Sequence, residues 1–235
     1  MSFTLQPASE DDLPELINIQ LAAFADDPFY ILLYHGRPND LEVRRAVVEQ
    51  TRSQWREDST LCAVKCVDTS TSQIVGFASV KTVDTAPDMA TQAPAEDETI
   101  KEKEAKEKSF KNQRLAAPFT GIKARIWAGG ESYISFGVLA VHPTHQRRGL
   151  GTKLVQWGLK ICDEAALPGY ITASPAGAEL YARLGFQRVG DVVNKARDFK
   201  GLTEDLVSVC MVYGVNEARL EEMRVRVTKT NGFEG

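Results

Sequence analysis

A near-continuous apolar run, Tyr133–Val141, passes through His142-Pro-Thr-His-Gln-Arg-Arg-Gly-Leu-Gly-Thr152 and emerges as an amphipathic stretch from about Leu150. In that stretch Leu154, Val155, Ile161 and Cys162 fall on one side and Lys153, Gln156 and Lys160 on the other. The period thus changes from a strand covered on both faces to a helix within a dozen residues, which demands a layered sheet-and-helix architecture. The turn between them has a chemistry of its own. Helix starts present unpaired N–H groups and the positive end of the dipole, and so favour an anion. Gly149 and Gly151 let the backbone approach a ligand closely, while Arg147 and Arg148 carry forked donors suited to phosphate oxygens. The turn lacks the GK[ST] of a P-loop and the GxGxxG of a dinucleotide fold. By its own chemistry it reads as a site for a bound anion such as a phosphate, the plainer alternative being a glycine-containing turn with two arginines in solvent.

Around this unit the remaining elements fall into order. Phe3–Pro7 is a short strand, and Ser9 with Asp12 makes a capping-box pair ahead of Leu13, Leu16, Ile17, Leu21 and Phe24 at helical spacing. Asp26-Asp-Pro-Phe-Tyr30 breaks that helix and opens an aromatic-rich segment to Tyr34, after which Asp40 caps a second helix reaching Trp55. Thr60–Val67 and Gln73–Val83 form a hairpin. From Asp84 to about residue 120 large apolar residues are sparse and Lys101–Lys108 alternates lysine with glutamate, as expected of a charged, flexible insertion. Beyond the phosphate turn come a strand at Tyr170–Ala173, a helix from Pro175 to Gly185, strands at Phe186–Val189 and Asp205–Tyr213, and a weakly helical tail over 216–235 that Leu220, Met223 and Val227 could dock. The order β-α-α-β-β-(insertion)-β-α-β-α-β-β predicts an α/β (α+β) fold. Its central sheet is mixed, mostly antiparallel and of about seven strands, with helices on both faces.

The 235 residues carry a net charge of −4, which offers no general attraction for nucleic acid or an anionic membrane. The start, Met1–Asp12, has neither the basic nor the apolar region of a signal peptide, and no stretch approaches the roughly 20 apolar residues of a membrane span. Four cysteines without a CxxC pair fit reduced thiols. A cytoplasmic protein is expected, with the nucleus also open, as monomer or homodimer. His142 and His145 lie in a turn with no carboxylate at ligand spacing, so no metal site is expected.

Gln146-Arg-Arg-Gly-Leu-Gly151 resembles the Gln/Arg-x-x-Gly-x-Gly/Ala motif of the GNAT superfamily of acyl-CoA-dependent N-acyltransferases. Ser174-Pro-Ala-Gly-Ala-Glu-Leu-Tyr-Ala-Arg-Leu-Gly-Phe186 is similar to that family's Leu-Tyr-x-x-x-Gly-Phe helix end. The two motifs stand in the family's order, about thirty residues apart, and the likeness covers roughly residues 133–190. The resemblance implies a single N-acetyltransferase domain over 1–215. It implies acetyl-CoA as acyl donor, with its arm lying along Leu139, Ala140 and Val141, its diphosphate on Gln146, Arg147, Arg148, Gly149, Leu150, Gly151 and Thr152, and Ser174 bonding the arm. Tyr181 then stands where the family protonates the departing thiolate. Asp26, Asp27, Phe29, Tyr30 and Tyr34 would line the acceptor side, receiving a small-molecule or peptide amine. The strand at Tyr133–Val141 lacks the glutamate that some relatives use as base, so the general base stays unassigned among Glu131, Asp26, Asp27 and His35. An acyl-CoA-binding sensor with weak turnover is the alternative that this gap leaves open.

Overall fold

The computed structural model describes residues 2–34, 40–84, 114–199 and 202–228. Seven strands, β1 (Phe3–Pro7), β2 (Leu61–Asp68), β3 (Gln73–Val83), β4 (Tyr133–Val141), β5 (Gly169–Ala173), β6 (Gln187–Asn194) and β7 (Leu206–Tyr213), form one sheet in the order β1-β2-β3-β4-β5-β7-β6. All neighbouring pairs are antiparallel except β4 and β5. This is the mixed sheet read from the element order. Helices α1 (Leu13–Ala23), α2 (Pro28–Leu33), α3 (Leu41–Glu57), α4 (residues 114–126), α5 (Leu150–Ala165), α6 (Pro175–Arg183) and α7 (Glu217–Thr228) cover it.

The helix starts follow their local chemistry. Ser9 donates its N–H and hydroxyl to the Asp12 carboxylate at 2.8 and 3.0 Å, closing the expected capping box before α1. Asp40 accepts the Glu42 N–H at 2.8 Å and starts α3. The same device makes a helix that periodicity did not reveal. Asp27 accepts the Phe29 and Tyr30 N–H groups at 2.8 and 3.3 Å, Pro28 occupies the first helical position, and the aromatic segment becomes α2.

One further segment departs from the sequence reading, while the helical tail expected after Asn216 is present. The stretch assigned to the charged insertion does not run to 120: residues 114–126 are helical. Leu115, Phe119, Ile122 and Ile126 recur at i, i+4, i+7 and i+11, and three of the four are buried, so apolar spacing outweighs the polar composition around them. The Lys101–Lys108 run lies outside the described residues. After Asn216, Leu220, Met223 and Val227 are buried against Val189 and Val192 of β6, which makes that segment a docked helix.

The core lies on both faces of the sheet. On one, α5 and α6 cover Ile134, Phe136 and Ile171 through Val155 and Tyr181. On the other, α4 and α7 cover Tyr133, Tyr170 and Val212, and α1 lays Leu16 and Ile19 on Phe77 and Ala140. Cys66, Cys162 and Cys210 are buried free thiols, and Cys62 is exposed. Burial pushes the Cys162 thiol up to about 12, which leaves it protonated and unsuited to act as a nucleophile. No described helix is long and apolar enough to cross a membrane.

Candidate active site

The site begins at an irregularity in β4. Along the β3–β4 ladder the pairing passes from Val80↔Phe136 to Ala78↔Leu139, so Gly137 and Val138 together oppose the single residue Ser79. This is a β-bulge, which bends its strand and resets which side chains face which way. Ile134 and Phe136 before it face α5, and so do Leu139 and Val141 after it. The Val138 N–H, released from the ladder, donates to Ser79 Oγ at 3.2 Å. A Cβ at 137 would stand 2.7 Å from the same oxygen, so a larger residue there would have to displace Ser79 from the Val138 N–H.

Beyond the bulge β4 and β5 part company. They pair at Ile134↔Gly169 and Ser135↔Tyr170 and nowhere further, so Gly137–Leu139 and Ile171–Ala173 line the two sides of an opening in the sheet. The resulting cleft has a volume of about 980 Å³. From the α6 side it is lined by Ser174, Leu180 and Tyr181, and from the other by α2, by Leu115 and Phe119 of α4, and by Leu202–Ser208. A strand edge left unpaired inside a fold offers its backbone groups to an extended ligand.

The phosphate turn adjoins this cleft. A short 3-10 turn, Pro143–His145, follows β4, and Gln146 Nε2 donates back to the Val141 carbonyl at 3.1 Å. Arg147 and Gly149 then take the left-handed conformation, with φ of +61° and +78°. Gly149 caps α5 without any side chain to receive the N–H groups behind it, and the helix's first bond is Lys153 N–H to the Gly149 carbonyl at 3.1 Å. Among the described residues the N–H groups of Leu150, Gly151 and Thr152 therefore have no acceptor. The Leu150 side chain is core, Arg147 is exposed, and Arg148 reaches back to the Thr144 carbonyl at 3.1 Å. Gly151 ties the turn to the cleft, since a Cβ on it would lie 3.2 Å from Cδ2 of the cleft residue Leu180.

Tyr181 stands in the α6 wall. It packs edge to face on Phe186, with centroids 5.4 Å apart, and is 6% exposed. Burial raises its phenol above the usual tyrosine range and so keeps it protonated. Among the described residues its hydroxyl has no hydrogen-bond partner. Ser174 caps α6 by accepting the Gly177 N–H at 3.2 Å, which leaves its own hydroxyl proton free to donate.

The sequence candidates on the acceptor side divide. Asp27, Phe29 and Tyr30 line the cleft, with Asp27 engaged as the α2 cap. Asp26 is exposed and away from it. Tyr34 is buried beneath α2 against Ile17 and Leu21, its hydroxyl receiving Gln20 Nε2 at 3.4 Å. Glu131, at the far end of β4, pairs with Arg219 of α7 and does not border the cleft. His35 lies outside the described residues. Sequence reasoning missed Leu115, Phe119, Glu204 and Ser208 as cleft residues. The i, i+4 spacing of the first two was the available signal, whereas nothing local marks the β6–β7 connection.

An open mixed sheet parted between its parallel strands, beside an uncapped helix start, is the framework of a coenzyme-A-dependent N-acyltransferase fold. Residues 120–188 match the family model of the acetyltransferase (GNAT) domain. It is 35% identical over 65 residues to an acetyltransferase of Stachybotrys chartarum, covering 27% of this chain and 28% of that one. It is 28% identical over 82 residues to a probable acyltransferase, SID5, of Ajellomyces capsulatus, covering 32% and 59%. The chain thus spans less than two thirds of either curated relative. A mosquito arylalkylamine N-acetyltransferase-like protein shares the fold, with a TM-score of 0.61 at 16% identity over 90% of this chain and 99% of that one.

Proposed function

We propose that the protein is an N-acetyltransferase that moves the acetyl group of acetyl-CoA to an amine by direct attack on the thioester. The observation that carries the reading is the continuity of three features: the parted β4–β5 edge, the acceptor-free N–H groups at the start of α5, and the unpartnered Tyr181 hydroxyl in the wall between them. The residues fit the donor. Leu150–Thr152 would hold the diphosphate through backbone N–H groups and the helix dipole, and the Leu139 edge would receive the extended arm. The amine nitrogen bonds to the carbonyl carbon, the C–S bond breaks with its electron pair going to sulfur, the Tyr181 hydroxyl supplies the thiolate's proton, and the proton that the nitrogen sheds on becoming an amide restores the phenol through solvent. An alkylammonium, with a pKa of about 10.4, must lose a proton first. Among the described residues β4 offers no carboxylate for this, so the proton leaves through solvent in the cleft.

The test is calorimetric titration with acetyl-CoA, ATP and NAD, followed by thiol release from acetyl-CoA with a panel of amines. Binding of acetyl-CoA alone among the three, with amine-dependent thiol release, is expected. Failure to bind acetyl-CoA overturns the reading. Binding without turnover for any amine favours the sensor, for which the missing β4 carboxylate is the motivating observation.

A further inference from the structure

We infer that the acceptor is a primary amine on an apolar, ring-bearing skeleton, selected by Phe29, Phe119 and Glu204; this rests on the N-acetyltransferase reading of the same cleft. The wall opposite Tyr181 is made of rings brought from separate elements. Phe29 of α2 and Phe119 of α4 meet edge to face with centroids 5.5 Å apart. Tyr30 stacks on Phe24 at 4.3 Å and touches Phe29 at 5.9 Å. Phe29, Tyr30 and Phe119 are each only partly buried and border the cleft, so their remaining faces are open to a ligand. Such a surface gains by covering apolar or aromatic area and offers little to a sugar or an extended polar chain.

The charges bordering the cleft narrow the choice. Among the described residues no lysine, arginine or histidine lines the cleft, so none of them neutralises an acceptor's carboxylate or phosphate. Three carboxylates do border it. Asp27 caps α2 through Oδ1 alone and keeps its negative charge beside Phe29 and Tyr30, whereas Asp205 is engaged by the Ala196 N–H at 2.8 Å and paired with Lys195 at 2.9 Å. Glu204 remains, exposed at the rim with no hydrogen bond or ion pair among the described residues. One open carboxylate at the mouth attracts a cation on approach.

The experiment compares phenethylamine, spermidine and a short peptide amine as acceptors with wild type, Phe119→Ala and Glu204→Gln, reading thiol release and, separately, phenethylamine binding by calorimetry with and without CoA. Phenethylamine should show the highest kcat/KM. Phe119→Ala should raise its KM and Kd roughly tenfold while acetyl-CoA affinity holds. Glu204→Gln, on an exposed connection, should raise KM about threefold at low ionic strength and lose that effect at high salt. Preference for spermidine or the peptide, or phenethylamine binding that is absent or indifferent to Phe119→Ala, overturns the inference. Because phenethylamine binding needs no turnover, it decides the acceptor class even if every amine fails as a substrate, an outcome that counts against the proposed activity alone.

Discussion

Gly149→Ala separates two consequences of one methyl group. At φ = +78° an L-residue is strained by about 1–2 kcal/mol, partly offset because alanine also restricts the unfolded chain. The added Cβ meets no protein atom within 4 Å, so no clash adds to that strain. A net loss of about 1 kcal/mol corresponds to a melting temperature lower by roughly 2–4 °C for a chain of this size. The open space that spares the fold is the space the donor's diphosphate must approach, beside the free N–H groups of Leu150, Gly151 and Thr152. Displacing the anion from one charge-assisted bond costs about 2 kcal/mol, or roughly 30-fold in acetyl-CoA affinity. Calorimetry gives the affinity and a thermal melt gives the stability. Gly121→Ala is the control, since that helical glycine also has open space around it but an ordinary φ, and alanine there should stabilise by about 0.5–1 kcal/mol without touching affinity. A Gly149→Ala protein with the small stability loss and unchanged affinity would show that the diphosphate does not rest on this turn.

Tyr181→Phe should leave stability within about 0.5 kcal/mol, because the hydroxyl has no protein partner to lose, while kcat falls by up to the 10²–10⁴-fold of general acid groups. Since burial raises the phenol, kcat should show no alkaline limb from this residue below pH 10; such a limb, abolished by the variant, would contradict the buried, protonated phenol. Tyr30, Tyr133, Tyr170 and Tyr181 are all raised by burial, Tyr133 to about 12, so the unfolded chain loses these protons first as pH passes about 10 and binds fewer than the native state. Stability should then fall by about 1.4 kcal/mol per pH unit for each tyrosine, with the Tyr133 share complete near pH 12; a urea midpoint constant from pH 9 to 11 would refute this. Leu220→Ala removes a side chain with no exposed surface where α7 meets the sheet and should cost about 2–5 kcal/mol by denaturant unfolding. A cost under 0.5 kcal/mol would place α7 outside the cooperative unit.

Local chemistry was enough to read the strand–turn–helix from Tyr133 to Ala165, because each of its signals is encoded within a few residues. The apolar run needs cover on both faces, the glycines free the backbone, and the helix start presents its own donors. The capping box at Ser9 and Asp12 was legible for the same reason. What the sequence by itself could not decide is where separate elements meet. The parting of β4 from β5 depends on a bulge whose partner, Ser79, lies 59 positions before Val138. The acceptor wall joins Phe29 to Phe119, 90 residues apart (119 − 29), across a segment whose polar composition concealed the start of α4. Glu204 borders the cleft because β6 and β7 pair antiparallel and bring their connection there. Short-range propensity determines elements and their caps. Long-range packing decides the register of a sheet and which side chains share a cavity, because those contacts gain their energy only once distant surfaces have come together.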